Sequence, residues 1–257
     1  MRSSTHGHWN RYWRERREIA EVYDNQDRLL REVRDLPLAG RRVLEVGAGS
    51  GRDSLEIARW GASVVLLDYA LSAFDVIRPQ AQAARVSVHC VCGDALRPPF
   101  REGTFALVFH QGLLEHFRDP RPLLAQNRYL TAPGGHCLID VPQRYHPYTL
   151  AKHIMIALNR WFAGWETEFS PGQLRRRLEE AGFEVVRTGG DWMVPGFLYR
   201  SLRYGLRRAR IARLPLYPRE PWGIGAGLRR LRESVRRTSW GPCTFAMVNV
   251  LARRPLE

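Results

Sequence analysis

Lysine and acidic residues are scarce in this 257-residue chain. Of its 40 basic residues only Lys152 is a lysine, and the 26 acidic residues leave a formal net charge of +14 at pH 7. Arginine binds phosphates and carboxylates through a planar fork, so the excess is consistent with an acidic partner. A bias of nucleotide composition toward arginine codons explains the preference for arginine equally well, and the sequence leaves both explanations open.

Long apolar runs are absent as well. No run approaches the roughly 18 residues that a membrane-spanning helix needs, and the first nine residues lack the pattern of a secretory signal. Apolar residues make up 44% of the chain, which is normal for a globular protein. We therefore expect a cytoplasmic protein.

The chain contains four cysteines, and only Cys90 and Cys92 lie close together in sequence. A Cys-x-Cys pair without further pairs of cysteine or histidine is not typical of a zinc site. We predict no metal site, and we expect all four thiols, including Cys137 and Cys243, to be buried and reduced.

Short β-rich runs alternate with segments of helical spacing along most of the chain. This order predicts a parallel sheet with helices on both faces, whose ligand lies at the carboxyl ends of the strands. Asp119-Pro120 and Ser170-Pro171 each predict a helix start, with the first residue as N-cap and proline at the first helical position. Residues 133–135, Pro-Gly-Gly, are expected to end the first of these helices.

Two later segments do not fit the alternation, and a helical segment precedes it. The opening segment has helical spacing from Trp9 to Val33, and we predict a helical lid over residues 1–36 before an α/β domain over residues 37–257. Helical insertions are expected within that domain at 143–168, which is aromatic and amphipathic, and at 191–241, which is basic.

Glycines follow the first predicted strand in the run Gly47-Ala48-Gly49-Ser50-Gly51, where a helix is expected to open. A dinucleotide fingerprint needs a further glycine at position 52, which is Arg52, and no Walker lysine follows. Asp68 stands at the tip of the next strand, where a carboxylate can accept hydrogen bonds from both hydroxyls of a ribose. The loop therefore predicts a nucleoside ligand without a pyrophosphate.

This loop and several later motifs resemble, in order, those of the class I S-adenosylmethionine-dependent methyltransferases, in particular the ubiquinone/menaquinone-type (methyltransferase type 11-like) enzymes. The motifs that carry the resemblance are Glu45 to Gly51, Asp68-Tyr69, Gly93-Asp94-Ala95, Phe109 to Pro120, Leu130 to Gly135 and Phe169 to Glu184. The resemblance implies a Rossmann-like, seven-stranded and mostly parallel sheet with helices on both faces, an antiparallel last strand and helical insertions.

The same resemblance implies S-adenosylmethionine as cofactor. Asp68 then corresponds to the ribose-binding acid, Tyr69 packs on adenine, and Asp94 accepts a hydrogen bond from the exocyclic amine. The full set of implied cofactor residues is Glu45, Gly47, Gly49, Gly51, Asp68, Tyr69, Asp94, Ala95 and Gln111.

Methyl transfer depends mainly on alignment of the nucleophile with the methyl group, and an oxygen or nitrogen nucleophile also needs a base. His116 is the predicted base because it lies on the loop that faces the substrate in the family and titrates near neutrality. A histidine with only local hydrogen bonds is the alternative interpretation. The other candidate bases are His110, Glu115, His146 and Glu166.

Aromatic residues outside the predicted sheet are the candidates for substrate contacts. We predict this role for Tyr12 and Trp13 in the opening segment and for Tyr145 and Trp165 in the first insertion. Aromatic residues at helical spacing also occur in ordinary cores, and the sequence does not separate the two cases.

The segment 197–240 contains twelve arginines and two acids, and so carries +10 of the total charge of +14. It predicts two basic amphipathic helices, with Leu198 and Leu202 on the apolar face of the first and Leu228 and Leu231 on that of the second. Three interpretations remain open: contact with an anionic membrane surface, contact with a nucleic acid, or apolar faces packed on the sheet domain beneath solvated arginines.

Taken together, the sequence predicts S-adenosylmethionine-dependent methyl transfer to a small-molecule acceptor, which the basic segment suggests is lipid-like or phosphorylated. The alternatives are an RNA or protein methyltransferase, favoured only by charge, and a cofactor-binding domain without catalysis. We expect a cytoplasmic location, with peripheral membrane contact through 197–240 as one of the open interpretations.

Overall fold

The computed structural model describes residues 5–15, 25, 27–218, 224–236 and 238–256. Within them a single seven-stranded sheet has the order β3-β2-β1-β4-β5-β7-β6, and only β7 runs antiparallel to its neighbours. The predicted fold is confirmed. The strands are β1 Arg42–Val46, β2 Ser63–Asp68, β3 Val88–Cys92, β4 Phe105–Gln111, β5 Thr131–Pro142, β6 Glu184–Asp191 and β7 Met247–Arg253.

Helices lie before the first strand and between the later ones. They are α1 His6–Glu15, α2 Arg28–Val33, α3 Arg52–Arg59, α4 Leu71–Ala84, α5 Arg121–Leu130, α6 Pro147–Ala157, α7 Pro171–Glu180, α8 Phe197–Arg208 and α9 Ile224–Arg236. The helix predicted from Trp9 to Val33 is not continuous, because Asp27 has a left-handed φ of 55° before α2. Its predicted residues at 16–24 lie outside the described residues.

The two predicted helix starts differ in outcome. Ser170 caps α7 as predicted: its hydroxyl accepts the Gln173 N–H at 3.2 Å, and the Gln173 side chain accepts the Ser170 N–H at 3.0 Å. In contrast, the N-cap of α5 is Pro120, and Asp119 accepts the Arg121 N–H from one position further out. The predicted cap at Asp119 is thus displaced by one residue.

The Pro-Gly-Gly run at 133–135 does not end α5, contrary to expectation. The helix ends at Leu130 and β5 begins at Thr131, so these residues lie inside the strand. The register against β4 shifts here, from Thr131 opposite Phe105 to His136 opposite Leu107. The glycines therefore allow a bulge at the start of β5 and do not form the turn that precedes it.

The core is formed by the central strands, which are apolar on both faces as expected for parallel strands under helices. Phe105, Phe109 and Leu107 of β4 are among the largest fully buried side chains. None of the helices in the described part of the chain is both long and apolar enough to cross a membrane.

The expectation of four buried thiols is wrong. Cys137 on the central strand β5 is buried, but Cys90 is half-buried and Cys92 is exposed. Both lie on β3, which is an edge strand and therefore has a less covered end. Cys243 is exposed in a short turn before β7. All four cysteines are free.

The N-terminal helices are attached to the carboxyl edge of the sheet. In α1, Asn10 accepts the Ser72 hydroxyl at 2.7 Å through its carbonyl oxygen. In α2, Arg28 donates to both carboxylate oxygens of Asp140 at 2.8 and 2.7 Å, and both side chains are buried. Asp191, at the end of β6, forms ion pairs with Arg31 of α2 and also with Arg236 of α9. Helices α2 and α9 therefore share a partner at the carboxyl end of β6.

Candidate cofactor and active site

A cavity of about 480 Å³ opens at the carboxyl ends of β1, β2 and β4. This volume lies within the range of small-molecule sites, and the position is the one where parallel sheets bind ligands. The predicted residues that line it are Trp13, Glu45, Gly47, Gly49, Asp68, Tyr69, Asp94, Ala95, Gln111 and His116.

The glycine loop folds back on itself through left-handed residues. Gly49 has a φ of 51°, and a Cβ there would lie 2.6 Å from Cζ2 of Trp13. Gly51 has a φ of 63° and caps α3, and a Cβ there would lie 3.1 Å from Cγ1 of Ile77 on α4. Gly49 thus forms part of the cavity wall, whereas Gly51 is outside its lining and supports the loop from behind. Its predicted cofactor contact stays a prediction.

Asp68 joins the loop to the tip of β2. Its carboxylate accepts the Gly49 N–H at 2.9 Å with one oxygen and the Ala70 N–H at 2.8 Å with the other. Burial raises the pKa of Asp68, while these backbone N–H groups act in the opposite direction. A carboxylate oxygen has two lone-pair sites, so each oxygen keeps acceptor capacity for a ligand hydroxyl.

A second group of polar residues lies beside the loop. Asn25 donates to Asp53 at 2.7 Å and to Gln111 at 3.2 Å. Burial raises the pKa of Asp53 to about 6. Asn25 and Asp53 line the cavity but were not among the predicted site residues. An acid in the first turn of α3 was visible in the sequence, whereas no pattern marks Asn25.

Glu45, at the end of β1, is another buried acid in the cavity wall. It accepts the Ser54 hydroxyl at 2.6 Å, and burial raises its pKa well above the usual range. The raised pKa favours the neutral carboxyl, which donates a hydrogen bond as well as accepting one. Asp94, on the loop after β3, instead accepts the Leu96 N–H at 2.9 Å and is exposed toward the cavity.

His116 lies at the end of the short turn Leu114–His116 after β4 and lines the cavity. Its ring packs edge-to-face on Trp9 with centroids 5.3 Å apart. Burial lowers its pKa, so the imidazole is neutral at neutral pH, and its Nδ1 is buried without a partner among the described residues. A neutral imidazole at a cavity wall is able to accept a proton.

The two other candidate histidines have structural roles. His110 is fully buried in β4, where burial lowers its pKa to about 3 and Asn127 lies 3.0 Å from its ring. His146 caps α6, because its Nδ1 accepts the Tyr148 N–H at 3.1 Å. Neither lines the cavity.

The predicted substrate residues separate into two groups. Trp13 lines the cavity, and Tyr12 lies beside it, with its ring stacked on Phe162 at 5.5 Å. Tyr145 is 71% exposed, and Trp165 carries the Arg118 guanidinium 4.7 Å above its ring. Neither Tyr145 nor Trp165 lines the cavity, and their roles stay predictions.

Residues 12–188 match the methyltransferase domain family. The chain belongs to this family. It is 30% identical to the ubiquinone biosynthesis O-methyltransferase of Ralstonia nicotianae over 191 residues, which cover 70% of this chain and 79% of that protein. It is 29% identical to the corresponding protein of Cupriavidus pinatubonensis over 162 residues, but these span only 64% of that relative's length and 60% of this chain.

The fold of this methyltransferase is also found in solved structures. A SAM-dependent methyltransferase from Thermotoga maritima superposes with a TM-score of 0.63 at 16% identity, covering 96% of this chain and 98% of that one. By its family and its relatives the chain is an S-adenosylmethionine-dependent methyltransferase, and the predicted transfer to a small-molecule acceptor agrees with relatives named ubiquinone biosynthesis O-methyltransferases. Methylation of RNA or protein is not favoured.

The residues of the cavity fit S-adenosylmethionine. The backbone at Gly49 leaves no room for a Cβ, so the loop approaches its neighbours closely. The buried carboxyl of Asp68 keeps acceptor capacity for a ligand. Tyr69 follows it at the tip of β2, and Asp94 follows the tip of β3, as the sequence predicted. The positions of these residues agree with the predicted cofactor set, whose individual roles stay predictions.

Proposed function

We propose that this methyltransferase methylates a hydroxyl oxygen of a small aromatic acceptor, with His116 as general base. The single observation that supports this most is the neutral imidazole at the cavity wall with an unpartnered nitrogen among the described residues. The relatives are named O-methyltransferases. A phenol hydroxyl has a pKa near 10, so removal of its proton at neutral pH benefits from a base.

The bound cofactor supplies an activated methyl group on sulfur. The chain itself holds the glycine loop against Asp68 and places His116 in the wall of the same cavity. In the proposed reaction the new bond forms between the acceptor oxygen and the methyl carbon while the bond from sulfur to that carbon breaks. His116 accepts the hydroxyl proton at an imidazole nitrogen and later releases it to solvent.

A series of aromatic rings supports an aromatic acceptor. Trp9 contacts His116, and Tyr12 contacts Trp9 with centroids 5.2 Å apart. Tyr12 in turn stacks on Phe162 at an interplanar angle of 21°. Aromatic rings favour offset-stacked and edge-to-face partners. These rings therefore provide a surface beside the base for a planar molecule.

The base assignment is tested by His116→Ala. We expect kcat to fall by about 100-fold or more, while the Kd for S-adenosylmethionine measured by calorimetry stays unchanged. His146→Asn is the matched control, because asparagine also caps helices and position 146 is outside the cavity. Unchanged turnover in His116→Ala with intact cofactor binding would show that the base is elsewhere.

The class of acceptor is tested with labelled S-adenosylmethionine. Phenols, catechols, amines and carboxylic acids are offered separately to the intact protein, and label is followed into the product. We expect transfer to phenols or catechols. Transfer to amines alone would contradict the proposal and leave the methyltransferase assignment intact.

We also propose that the N-terminal helices act as a lid over the cofactor cavity. Trp13 on α1 contacts the loop at Gly49, and the His6 ring lies 2.7 Å from the carbonyl oxygen of Tyr69. Asn25, between α1 and α2, reaches Asp53 and Gln111 in the cavity wall. These contacts, together with the presence of Trp9, Trp13 and Asn25 in the cavity wall, support the proposed lid.

A further proposal concerns contact with an anionic membrane surface. On α8 the apolar face is not packed on the sheet domain, since Leu198 is 83% exposed and Leu202 is 55% exposed. The interpretation in which these leucines lie in the core is therefore wrong. Leu231 of α9 is likewise 60% exposed.

Helix α6 continues this apolar surface. Leu150, Ile154 and Leu158 recur every four residues and are 68%, 54% and 58% exposed. The rings of Tyr148 on α6 and Phe197 on α8 lie 5.5 Å apart, so the two helices are neighbours. We call the exposed leucines of α8 together with these three residues the α6–α8 face.

Part of the arginine excess beside this face has a structural use. Arg200 donates to the carbonyl oxygens of Pro195 and Val194, and Arg203 donates to that of Leu214. Arg208, Arg210 and Arg213 are exposed near the end of α8. A helix with exposed leucines and adjacent exposed arginines suits the boundary between lipid headgroups and acyl chains.

Co-sedimentation with phosphatidylglycerol vesicles at low salt tests this contact. We expect the full chain to bind, and the pair Leu198→Ser and Leu202→Ser to weaken binding strongly. Leu256→Ser is the matched control, because Leu256 is 81% exposed but follows the end of β7 at the opposite edge of the sheet. Failure to bind anionic vesicles, or binding only to RNA under the same conditions, would contradict the membrane proposal.

A further inference from the structure

A buried charged cluster lies behind His116. The ammonium of Lys152 on α6 forms ion pairs with Glu166 at 2.7 Å and with Glu168 at 2.6 Å. The side chains of all three residues are almost fully buried. Trp161 donates its indole N–H to the second oxygen of Glu166 at 2.8 Å. Glu166 is therefore held at both carboxylate oxygens.

This cluster is attached directly to the turn that carries His116. The Thr167 N–H donates to the carbonyl oxygen of Glu115 at 2.9 Å. The carbonyl of Trp165 lies close enough to the His116 ring to raise its pKa, as does the carbonyl of Gly112. The segment from Trp165 to Glu168 thus packs against the turn at Leu114–His116.

The charges that face His116 have opposite effects. Glu166 raises the pKa of His116, whereas Lys152 lowers it. Glu115 is buried, and burial together with the nearby charge of Glu166 raises its pKa well above the usual range. The Arg118 guanidinium lies over Trp165, at the exposed side of the turn.

Two carboxylates share one ammonium in this cluster, which leaves an excess negative charge behind His116. Glu168 has a further partner, because His153 lies 2.6 Å from its second oxygen. Glu166 instead has contacts only with Lys152 and Trp161 among the described hydrogen bonds and ion pairs. A negative charge in a low-dielectric surrounding stabilises a nearby cation more than it does in water.

We propose that Glu166, fixed by Lys152 and Trp161, is a positioning residue that stabilises the imidazolium formed when His116 accepts the acceptor proton. This inference rests on the proposed role of His116 as base. The proton moves from the acceptor hydroxyl to His116. Glu166 itself does not touch the acceptor.

Glu166→Gln removes the charge and keeps one oxygen, which can accept from either Lys152 or Trp161 but not from both in the present geometry. The pKa of His116, followed by NMR in the labelled full chain, is expected to fall by about one unit. The acidic limb of the profile of kcat/KM against pH should move to lower pH by the same amount. We expect kcat to fall by about tenfold at pH 7, with the KM for S-adenosylmethionine unchanged.

Glu168→Gln is the matched control. It removes the charge of the other carboxylate that pairs with Lys152. Glu168, unlike Glu166, is not among the main groups that shift the pKa of His116. We expect it to leave the NMR titration of His116 within a few tenths of a unit of wild type. An equal shift in both variants would overturn the assignment to Glu166. Glu166→Asp should restore part of the loss because it restores the charge.

Folding and the base assignment are separated by further measurements. Trp161→Phe removes one hydrogen bond to Glu166 without touching Lys152, and a smaller shift of His116 in the same direction is expected if Glu166→Gln is too unstable to titrate. If His116→Ala is inactive and the His116 titration is insensitive to Glu166 and Trp161, this inference is wrong and the base proposal stands. If His116→Ala is fully active, the base proposal is wrong and the stabilising role of Glu166 falls with it, even where the titration shifts.

Discussion

Trp13 and Gly49 provide a direct test of whether the N-terminal helix is part of the cofactor site. A Cβ at Gly49 would lie 2.6 Å from Cζ2 of Trp13, whereas carbon atoms in good contact are about 3.5–4.0 Å apart. Gly49→Ala therefore requires the Trp13 ring, or α1 that carries it, to move by about 1 Å. It also places alanine at a φ of 51°, which costs about 1–2 kcal/mol for a residue with a Cβ.

Only the first of these two costs depends on Trp13. In the Trp13→Ala background the strain of the backbone remains, but the contact is gone. We expect the two changes to be coupled by about 1–2 kcal/mol, within the range for side chains in contact. The coupling should appear in the free energy of unfolding by urea and in the free energy of S-adenosylmethionine binding.

Four proteins complete the measurement: wild type, the two single variants and the double variant. Gly47→Ala gives the control cycle, because a Cβ at Gly47 would lie 3.0 Å from Leu113 and none of its three nearest atoms belongs to Trp13. That cycle with Trp13→Ala should be additive within about 0.5 kcal/mol. Additivity in the Gly49 cycle as well would refute the contact and remove the main support for the lid.

Three further predictions concern stability. Arg28→Met leaves Asp140 as an unpaired buried charge and should cost about 3–5 kcal/mol in urea unfolding, much of which the double variant Arg28→Met with Asp140→Leu should recover. Ser170→Ala removes the capping box of α7 and should cost about 1 kcal/mol; a loss below a few tenths would contradict the cap. Burial lowers the pKa of His110 in the folded protein to about 3, so below pH 6.5 the unfolded chain binds more protons than the folded one. The free energy of unfolding should therefore decrease by about 1.4 kcal/mol for each unit by which the pH is lowered, from this group alone. His110→Gln should have a shallower dependence between pH 6 and 4 than wild type, and equal slopes would contradict the burial of a neutral ring.

The sequence predicts best where the physical rule is local or follows from strand direction. Ser170 caps α7 because a hydroxyl before a helix accepts a free N–H, whatever surrounds it. Asp68 and Gly49 meet because parallel strands bring their carboxyl ends to one edge of the sheet. Both contacts join residues that lie near each other in the sequence.

Other features depend on what covers a segment, which spacing does not show. The apolar spacing of Leu198 and Leu202 identifies one side of α8, but their exposure depends on which neighbours reach that side. Cys92 alternates like a core residue and is exposed because β3 is at the edge of the sheet. Asn25 enters the cavity from a segment without periodicity, so no sequence signal indicates it.

The ion pairs of α2 also determine when this helix can be fixed during synthesis. Arg28 is paired with a residue 112 positions later, and Arg31 with one 160 positions later. Ribosomes add about 5–20 residues per second, so α2 waits on the order of ten seconds or more for its second partner. The buried Arg28 lacks its partner at the sheet until Asp140 has been made. The cavity above the strand tips is therefore completed late, although the helix that helps to close it is made early.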